Sequence, residues 1–334
     1  MTTLALVWLF LIAFIVIMYI ILDGFTLGVG LLFLGIKNSK DRDTLLTTVL
    51  PVWDGNETWL VFAGAALYAG FPGAFGVLMS VLYLPIMLLI AGLLFRGIAF
   101  EFTHKATTSV HVWEKCFFVG SLLVVIAQGI IVGSYVQGFN VDSQTGNIVA
   151  PPIISWFNLF CAIALIIGYS LLGSARLIKK TTGILQVQLF SISAKLQWIL
   201  LIVVLFVGFY SPEITSDYYI SEFKLNRSPF MVLFTIVIIL LMSLHAIAIK
   251  KRIEQLPFMA LVGVFIMAYV AFIISNLPYL VPHQITFMQA KADDGALMLM
   301  LYGVAVLLPL LLFYTAYAYH IFGGKVQDNE KITY

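Results

Sequence analysis

Charged side chains are scarce in this sequence. They make up 10% of the 334 residues, whereas hydrophobic residues make up 62% and the mean hydropathy is +1.05. A soluble domain carries about 25% charged residues, so this composition excludes a water-soluble globular protein and indicates an integral membrane protein. The net charge is only +2 and the basic residues are scattered in small groups, which excludes an extended nucleic-acid-binding surface.

Cysteine and histidine are also scarce. Cys116 and Cys161 lie in apolar runs without CxxC or metal-ligand spacing, which predicts packed thiols. A haem bound within a membrane commonly needs paired axial ligands, usually His or Met, on facing helices. Of the five histidines, only His245 lies where a ligand is plausible, and a hydrogen-bonded histidine is the alternative. The chain is therefore predicted to hold no haem by itself.

Lysine and arginine are absent from residues 1–12, and no small-residue cleavage site follows this apolar stretch. A removable signal peptide has a positively charged start and a small-residue cleavage site. Because both are missing here, the first helix is expected to be retained. The apolar runs are long and continuous, which favours helices over the short alternating strands of a β-barrel. The predicted fold is all-α, a polytopic helix bundle that forms one integral membrane domain over 1–334.

Nine apolar runs approach or exceed the roughly 20 residues that a helix needs to cross a bilayer. The predicted spans are 4–36, 52–71, 74–98, 112–137, 153–176, 189–210, 229–249, 257–279 and 295–321. Spans one to five form a first group over 4–176, which contains the acidic motifs, and spans six to nine form a second group over 189–321. The connections at 138–152, 211–228 and 280–294 are short and polar, so no soluble domain is expected.

The orientation follows from the distribution of Lys and Arg, which accumulate in cytoplasmic loops. Alternate connections and the C-terminal segment hold 14 of the 18 basic residues. This places the N-terminus outside and the C-terminus inside. An even number of spans would break the alternation, so the charge distribution independently favours nine.

Four carboxylates in or beside the first three spans are the candidate functional residues. Asp54 and Glu57 are three residues apart on one face of the second span, Asp23 lies deep in the first, and Glu101 follows Arg96 near the inner end of the third. Ionisable groups within membranes are costly and usually mark ion paths, proton relays or partner contacts. Together these acids predict a hydrated proton path that enters from the cytoplasm.

Each acid also has a structural interpretation. Asp54 is a candidate helix N-cap, Glu101 a candidate ion-pair partner of Arg96, and Asp23 a candidate for a hydrogen bond to a neighbouring helix. Glu57 is placed where it can simply face the lipid headgroups. These alternatives remain open from the sequence.

Two tryptophans flank the acids of the second span. Trp53 and Trp59 are candidates for interfacial anchors, the commonest use of Trp in membrane proteins, or for a flat surface that contacts a quinone or a partner. The spacing of Gly24 and Gly28 in the first span predicts close helix packing rather than catalysis.

Several runs together resemble one known family. They are LDGFTLGVG at 22–30, WDGNETW at 53–59, LFRGIAFE at 94–101, and YGVAVLLP and LFYT at 302–309 and 312–315 in the last span. In this order, across nine helices, they resemble subunit II of cytochrome bd-type quinol oxidases, a group that includes the cyanide-insensitive oxidases. The resemblance extends from the first helix to the last.

This resemblance implies a respiratory complex of the bacterial inner membrane that oxidises quinol and reduces dioxygen to water. It implies a heterodimer in which the haem-bearing subunit I holds haems of b and d type, with small single-helix subunits as further candidate partners. Quinone enters as the substrate from the membrane quinol pool, or as a structural ligand. Asp54 would be the main acid of the cytoplasmic proton path, with Trp59 and Glu101 beside it.

The chain departs from many relatives at two positions of these motifs. Thr26 stands where many have a second Asp, so any role of that acid is missing or moved. Glu101 stands where many have Asp, which keeps the proton chemistry with one more methylene. From the residues alone, a proton-coupled transporter and a purely structural scaffold remain alternatives, although the acids cluster in spans one to three without counterparts in the second half.

Overall fold

A computed structural model describes residues 2–103, 106, 108–142, 145–214 and 221–326. In these ranges the chain forms twelve α-helices and two small antiparallel β-hairpins. The helices are α1 Thr2–Phe33, α2 Ser39–Val49, α3 Trp53–Gly70, α4 Pro72–Val81, α5 Tyr83–Thr103, α6 Val110–Gln137, α7 Trp156–Lys180, α8 Gly183–Ile214, α9 Ser221–Lys250, α10 Leu256–Asn276, α11 Phe287–Ala290 and α12 Asp294–Ile321. The strands are β1 Asn140–Val141, β2 Ile148–Val149, β3 Tyr279–Val281 and β4 Ile285–Thr286.

Eight helices within the described part of the chain are long and apolar enough to cross a membrane. They are α1, α5, α6, α7, α8, α9, α10 and α12, so the predicted all-α membrane bundle is confirmed. The helix predicted at 52–71 forms as α3, but it does not meet the same criterion of apolar composition. The reason is that its first two turns carry the polar run from Asp54 to Thr58.

The predicted third span, 74–98, is two helices rather than one. The chain breaks at Leu82 between α4 and α5. Pro85 explains the break, because a proline ring clashes with the carbonyl four residues earlier, here that of Val81, and cannot donate the corresponding hydrogen bond. The short α4 packs against α3, α5 and α11.

Two helices lie outside the predicted spans, α2 and the four-residue α11. The amphipathic α2 lies in the connection between the first two predicted spans and buries Leu45, Leu46 and Val49. Asn38 caps its first turn by accepting a hydrogen bond from the amide of Lys40 at 3.1 Å. The connection predicted at 211–228 is shorter than expected, because α8 ends at Ile214 and α9 begins at Ser221, and its centre lies outside the described residues.

The first helix is central in the bundle and contacts α3, α6, α7, α10 and α12. At its crossing with α7, a Cβ added to Gly28 would lie 1.8 Å from the carbonyl oxygen of Tyr169, and one added to Gly173 would lie 2.6 Å from the carbonyl carbon of Gly28. The two backbones therefore touch, which confirms the close packing predicted from Gly24 and Gly28. This contact fixes the depth at which α1 presents Asp23.

The two hairpins lie at the same end of the bundle and are tied to α6. Tyr135 donates a hydrogen bond from its hydroxyl to the carbonyl of Leu280 at 2.5 Å. Gln284 donates from its side chain to the carbonyl of Phe139 at 2.9 Å. These bonds join the connection after α6 to the connection after α10.

Candidate functional site

A buried arginine, Arg96, connects α1, α3 and α5. Arg96 on α5 and Asp23 on α1 have fully buried side chains, and the guanidinium Nη2 lies 2.7 Å from Asp23 Oδ1. Arg96 also donates through Nη1 to the hydroxyl of Thr26 at 3.3 Å, and that hydroxyl donates to Asp23 Oδ1 at 2.5 Å. Asp23 therefore lies deep in the bundle, as predicted, but its main partner is a charge rather than a neutral hydrogen-bonding group.

Glu57 on α3 is the second carboxylate on the same guanidinium. It accepts a hydrogen bond from Arg96 Nε at 3.2 Å and forms an ion pair with Arg96 Nη2. Its side chain keeps 19% of its surface exposed, whereas those of Asp23 and Arg96 keep none. The three side chains form one cluster, the Asp23–Arg96–Glu57 triad, whose least buried member is Glu57.

The triad is unbalanced in charge. Two carboxylates face one guanidinium, so full ionisation leaves one excess negative charge in a buried site. Asp23 Oδ2 is fully buried and is the one atom of its kind without a hydrogen-bond partner among the described residues. A buried acceptor left unpaired is costly, so this oxygen marks the place where a proton or a water molecule would be stabilised.

Asp54 lies three residues before Glu57, in the first turn of α3, and is exposed. The predicted N-cap role is wrong, because Val52 occupies the N-cap position and no side chain caps this helix. Asp54 instead lies in the first turn of α3, where the positive end of the helix dipole stabilises its negative charge. It is placed at the same end of α3 as the exposed edge of the triad.

Glu101 does not pair with Arg96. The predicted ion pair is wrong, because the guanidinium of Arg96 points into the bundle towards Asp23 and Glu57. Glu101 lies exposed further along α5. Trp53 stacks on Phe100 with ring centroids 4.9 Å apart, so the start of α3 and the end of α5 are adjacent and Asp54 and Glu101 belong to the same end of the bundle.

The two tryptophans differ. Trp59 is fully buried, donates its indole N–H to Thr315 on α12 at 3.3 Å, and packs edge-on against Phe14. Its predicted interfacial anchoring is therefore wrong, and it joins α3 to α12 inside the core. Trp53 is half-buried at the start of α3.

A second buried polar chain was missed by the sequence analysis. Tyr169 donates its hydroxyl to Gln128 Oε1 at 2.9 Å, and Gln128 donates to the hydroxyl of Tyr19 at 2.7 Å. Tyr19 lies one turn before Asp23 on the same face of α1. The available signal was Gln128 itself, an amide within an otherwise apolar run, since polar groups at that depth need partners.

His245 is a hydrogen-bonded core residue. Its two ring nitrogens lie 3.2 Å from the hydroxyl of Ser193 and 2.5 Å from Gln197 Oε1. Both nitrogens are thus engaged, and no other histidine is buried in the part of the chain that the structure describes. The described residues also contain no group of three or more His, Cys, Asp or Glu side chains that could hold a metal ion. These residues do not fit a haem with paired histidine ligands.

The fold and the site define a helical membrane protein with a buried, charge-unbalanced triad near one end of the bundle. The sequence matches the family described as cytochrome bd terminal oxidase subunit II over residues 4–322. The chain belongs to this family, which confirms the resemblance, and it is a subunit of a terminal oxidase complex of the haem-containing cytochrome bd type. A proton-coupled transporter is therefore not favoured.

Individual relatives agree with the family. The chain is 27% identical to cytochrome bd ubiquinol oxidase subunit 2 of Bacillus subtilis, with 98% of each chain covered. It is 25% identical to cytochrome bd-I ubiquinol oxidase subunit 2 of Escherichia coli, with 98% of this chain and 97% of that one covered. In fold it is similar to a chain of the bd oxidase from Geobacillus thermodenitrificans, with a TM-score of 0.79, 18% identity, and 96% and 98% of the two chains covered.

Proposed function

We propose that this chain pairs with a haem-bearing subunit I in a quinol oxidase of the bacterial cytoplasmic membrane and forms the inner part of its proton path. The relatives named as ubiquinol oxidase subunits support the reaction, in which quinol is oxidised and dioxygen is reduced to water. Since both ring nitrogens of His245 are engaged in hydrogen bonds, we assign the haems to the partner. Subunit I would then carry the redox chemistry, and this chain the protons.

The observation that carries the proton-path proposal is the triad. Its two acids come from separate helices, and its most exposed member is Glu57. Asp54 is exposed and lies about one turn before Glu57, at the start of α3. We place Asp54, with Glu101 beside it, at the entry, Glu57 and Asp23 as the inner acids, and Arg96 as the charge that holds both. Trp59 would fix α3 against α12 so that Glu57 keeps its position.

The triad suits proton transfer because it holds one more acid than base. A proton bound between Asp23 and Glu57 neutralises the excess charge, and Arg96 contacts both carboxylates, so neither acid needs to move far to pass it on. A scaffold made only of caps and ion pairs would have no use for the extra acid. The protons used in making water would thus be drawn from the side on which Asp54 is exposed, which we assign to the cytoplasm.

This orientation completes the proposed topology. Counting α3 as a membrane span together with the eight apolar helices gives nine, with the N-terminus outside and the C-terminus inside. The polar start of α3 is tolerated in a span because Asn56 donates to the carbonyl of Leu22 at 2.8 Å and accepts from Tyr319 at 3.0 Å, and Glu57 is paired with Arg96.

The test is quinol-driven oxygen uptake by the complex purified through an affinity tag on this chain. The Asp54→Asn variant keeps the size and shape of the side chain but cannot carry a proton. We expect the reduced-minus-oxidised haem spectrum to be retained and uptake to fall by about a hundredfold, the low end of the contribution of a positioned acid or base. Asp41→Asn, the same change in the first turn of α2, is the matched control.

Two results would contradict the proposal. If Asp54→Asn supports uptake at the level of Asp41→Asn, the acid is structural and the path lies elsewhere. If the wild-type chain comes out of mild detergent without a haem-bearing partner, the assignment to a two-subunit oxidase fails.

A further inference from the structure

A second buried arginine has no acid beside it. Arg176 on α7 keeps only 9% of its surface exposed, and no side chain or carbonyl in the described ranges accepts a hydrogen bond from it. The neighbouring cation Lys180 differs, since it donates to the carbonyls of Phe322 and of Gly324, the latter at 2.9 Å. Arg176 is therefore a buried charge whose donors find no acceptor in the described part of the chain.

Aromatic rings from three helices surround this guanidinium. Its central carbon lies 5.3 Å from the ring centroids of Phe25 and Phe258 and 5.2 Å from that of Tyr319. The rings of Phe258 and Tyr319 also pack edge-on against Phe25, so the cage is held by its own contacts. The ring faces attract the cation, but the Tyr319 hydroxyl, the one oxygen in the cage, donates to Asn56 and accepts no hydrogen bond from Arg176, so the cage positions the guanidinium without satisfying its donors.

The surroundings of the cage favour an anion that also has an apolar part. Lys179 and Lys180 follow Arg176 in the last turn of α7, which makes this end of the helix strongly positive. The ring of Tyr319 also lines a small cavity between α3 and α12, together with Val52, Gly55, Asn56, Tyr314, Thr315 and Ala318. This cavity has room for about one water molecule, so the apolar part of a ligand would lie outside it, against exposed side chains such as Met259 next to Phe258.

We propose that Arg176 binds a phosphate oxyanion supplied by the headgroup of an anionic phospholipid. A guanidinium presents paired N–H donors that match two phosphate oxygens, which a lysine ammonium does not. The lysines at the end of α7 attract the anionic surface of the membrane, and exposed apolar side chains such as Met259, next to Phe258, suit the start of the acyl chains. This site is separate from the triad and does not depend on the proposed proton path.

The test is lipid binding by the purified complex after its lipids have been removed in mild detergent. Phosphatidylglycerol and phosphatidylcholine are added in turn, and the lipid retained is measured by native mass spectrometry. The wild type is expected to bind phosphatidylglycerol about tenfold more tightly, the effect of one or two charge-assisted hydrogen bonds. Equal binding of the two lipids by the wild type would overturn the proposal, whatever the variants do.

Variants then locate the site. Arg176→Gln is expected to lose the tenfold preference, and Arg176→Lys to keep only part of it, because the ammonium lacks the paired donors. Lys251→Gln, which removes an exposed cation of the connection after α9, is the matched control and is expected to behave as the wild type. An Arg176→Gln complex that keeps the full preference, or a Lys251→Gln complex that loses it, would overturn the assignment to Arg176.

Inorganic phosphate separates the two sources of the anion. Millimolar phosphate is expected to leave the bound phosphatidylglycerol in place, because it brings no acyl chains. If phosphate displaces the lipid and raises the melting temperature of the wild type but not of Arg176→Gln, the site binds free phosphate and the lipid assignment is overturned.

Discussion

In the triad two carboxylates share one guanidinium, so the effect of a substitution on stability depends on which charge it removes. Arg96→Gln would leave Asp23 and Glu57 facing each other without a compensating charge, and Asp23 is fully buried. Removing one partner of a buried ion pair costs about 3–5 kcal/mol. We expect the Arg96→Gln complex to melt well below the wild type in a thermal unfolding assay, whereas Arg252→Gln, in the exposed connection after α9, should leave the melting temperature unchanged.

The same residues give a stricter test through a double variant. Asp23→Asn together with Arg96→Gln removes one negative and one positive charge, so the pair should cost less than the sum of the single changes by about 0.5–3 kcal/mol. Purely additive losses in melting temperature would argue against the direct contact of the two side chains.

The sequence singled out four acids but did not predict the contacts that hold them. Asp23, Asp54, Glu57 and Glu101 stand out because acids are rare in apolar runs. The partner of Asp23 could not be inferred, since Arg96 is close to it only after α1, α3 and α5 have packed together. The 14 basic residues assigned to connections and the C-terminal segment include Arg96, and this assignment is wrong, because its charge is paired with Asp23 and Glu57 inside the bundle.

At the scale of elements, the crossing of α1 and α7 depends on glycine. A Cβ at position 28 would overlap the carbonyl oxygen of Tyr169, so even Gly28→Ala must push the helices apart. Overpacking of this kind costs about 1–3 kcal/mol, and here it would also shift Asp23 relative to Arg96. We expect less assembled complex in size-exclusion chromatography and slower oxygen uptake.

Gly64→Ala on α3 is the matched control, because a Cβ there has no heavy atom within 4 Å. It should be neutral or slightly stabilising, since Ala favours a helix more than Gly does. If both alanine variants assemble equally well, the close contact of α1 with α7 does not limit assembly.

The element boundaries show what local sequence can and cannot predict. The cap at Asn38 and the break before Pro85 are both local signals, so α2 and the division of α4 from α5 were within reach. The length of the apolar run alone predicts one span over α4 and α5. The break becomes visible only when Pro85 is considered together with the carbonyl of Val81, four residues earlier. The chain of Tyr19, Gln128 and Tyr169 could not be predicted, since it joins three helices.

The segment after α12 is held to the turn between α9 and α10 by an acid. Hydrogen bonds from Lys325 and Gln186 to Glu254 lower the pKa of this carboxyl below its usual value of 4.5. A carboxyl with a lowered pKa in the folded state contributes stability above its unfolded pKa and loses it as the pH falls through the folded one. The contact should therefore be intact at neutral pH and open in acid, below about pH 4.5.

Hydrogen exchange of the amide of Val326, which donates to the carbonyl of Lys180 at 3.0 Å, measures this opening. After correction for the intrinsic rate, Glu254→Gln should exchange faster than the wild type at neutral pH, and the wild type should approach the variant in acid. Equal protection at neutral pH would mean that the carboxylate does not hold this segment.

At the scale of the whole molecule, the topology depends on α3. If α3 crosses the membrane, the chain crosses once in α3 and returns in α5. Lys40, before α3, and Thr108, after α5, then lie on the same side. If α3 does not cross, α5 alone separates them. Both residues are exposed, so a cysteine at either position can be labelled with a membrane-impermeant maleimide in a background from which Cys116 and Cys161 have been removed.

We expect Lys40→Cys and Thr108→Cys to be labelled only in inverted vesicles, and Thr145→Cys, in the connection after α6, only in intact cells. Labelling of positions 40 and 108 from opposite sides would reduce the bundle to eight spans and remove the cytoplasmic entry at Asp54. Labelling of both from outside would keep nine spans but reverse the bundle, and Asp54 would then be exposed on the outer side of the membrane rather than to the cytoplasm. The proposed proton path therefore depends on α3, the predicted span that is less apolar than the eight other long helices in the described part of the chain.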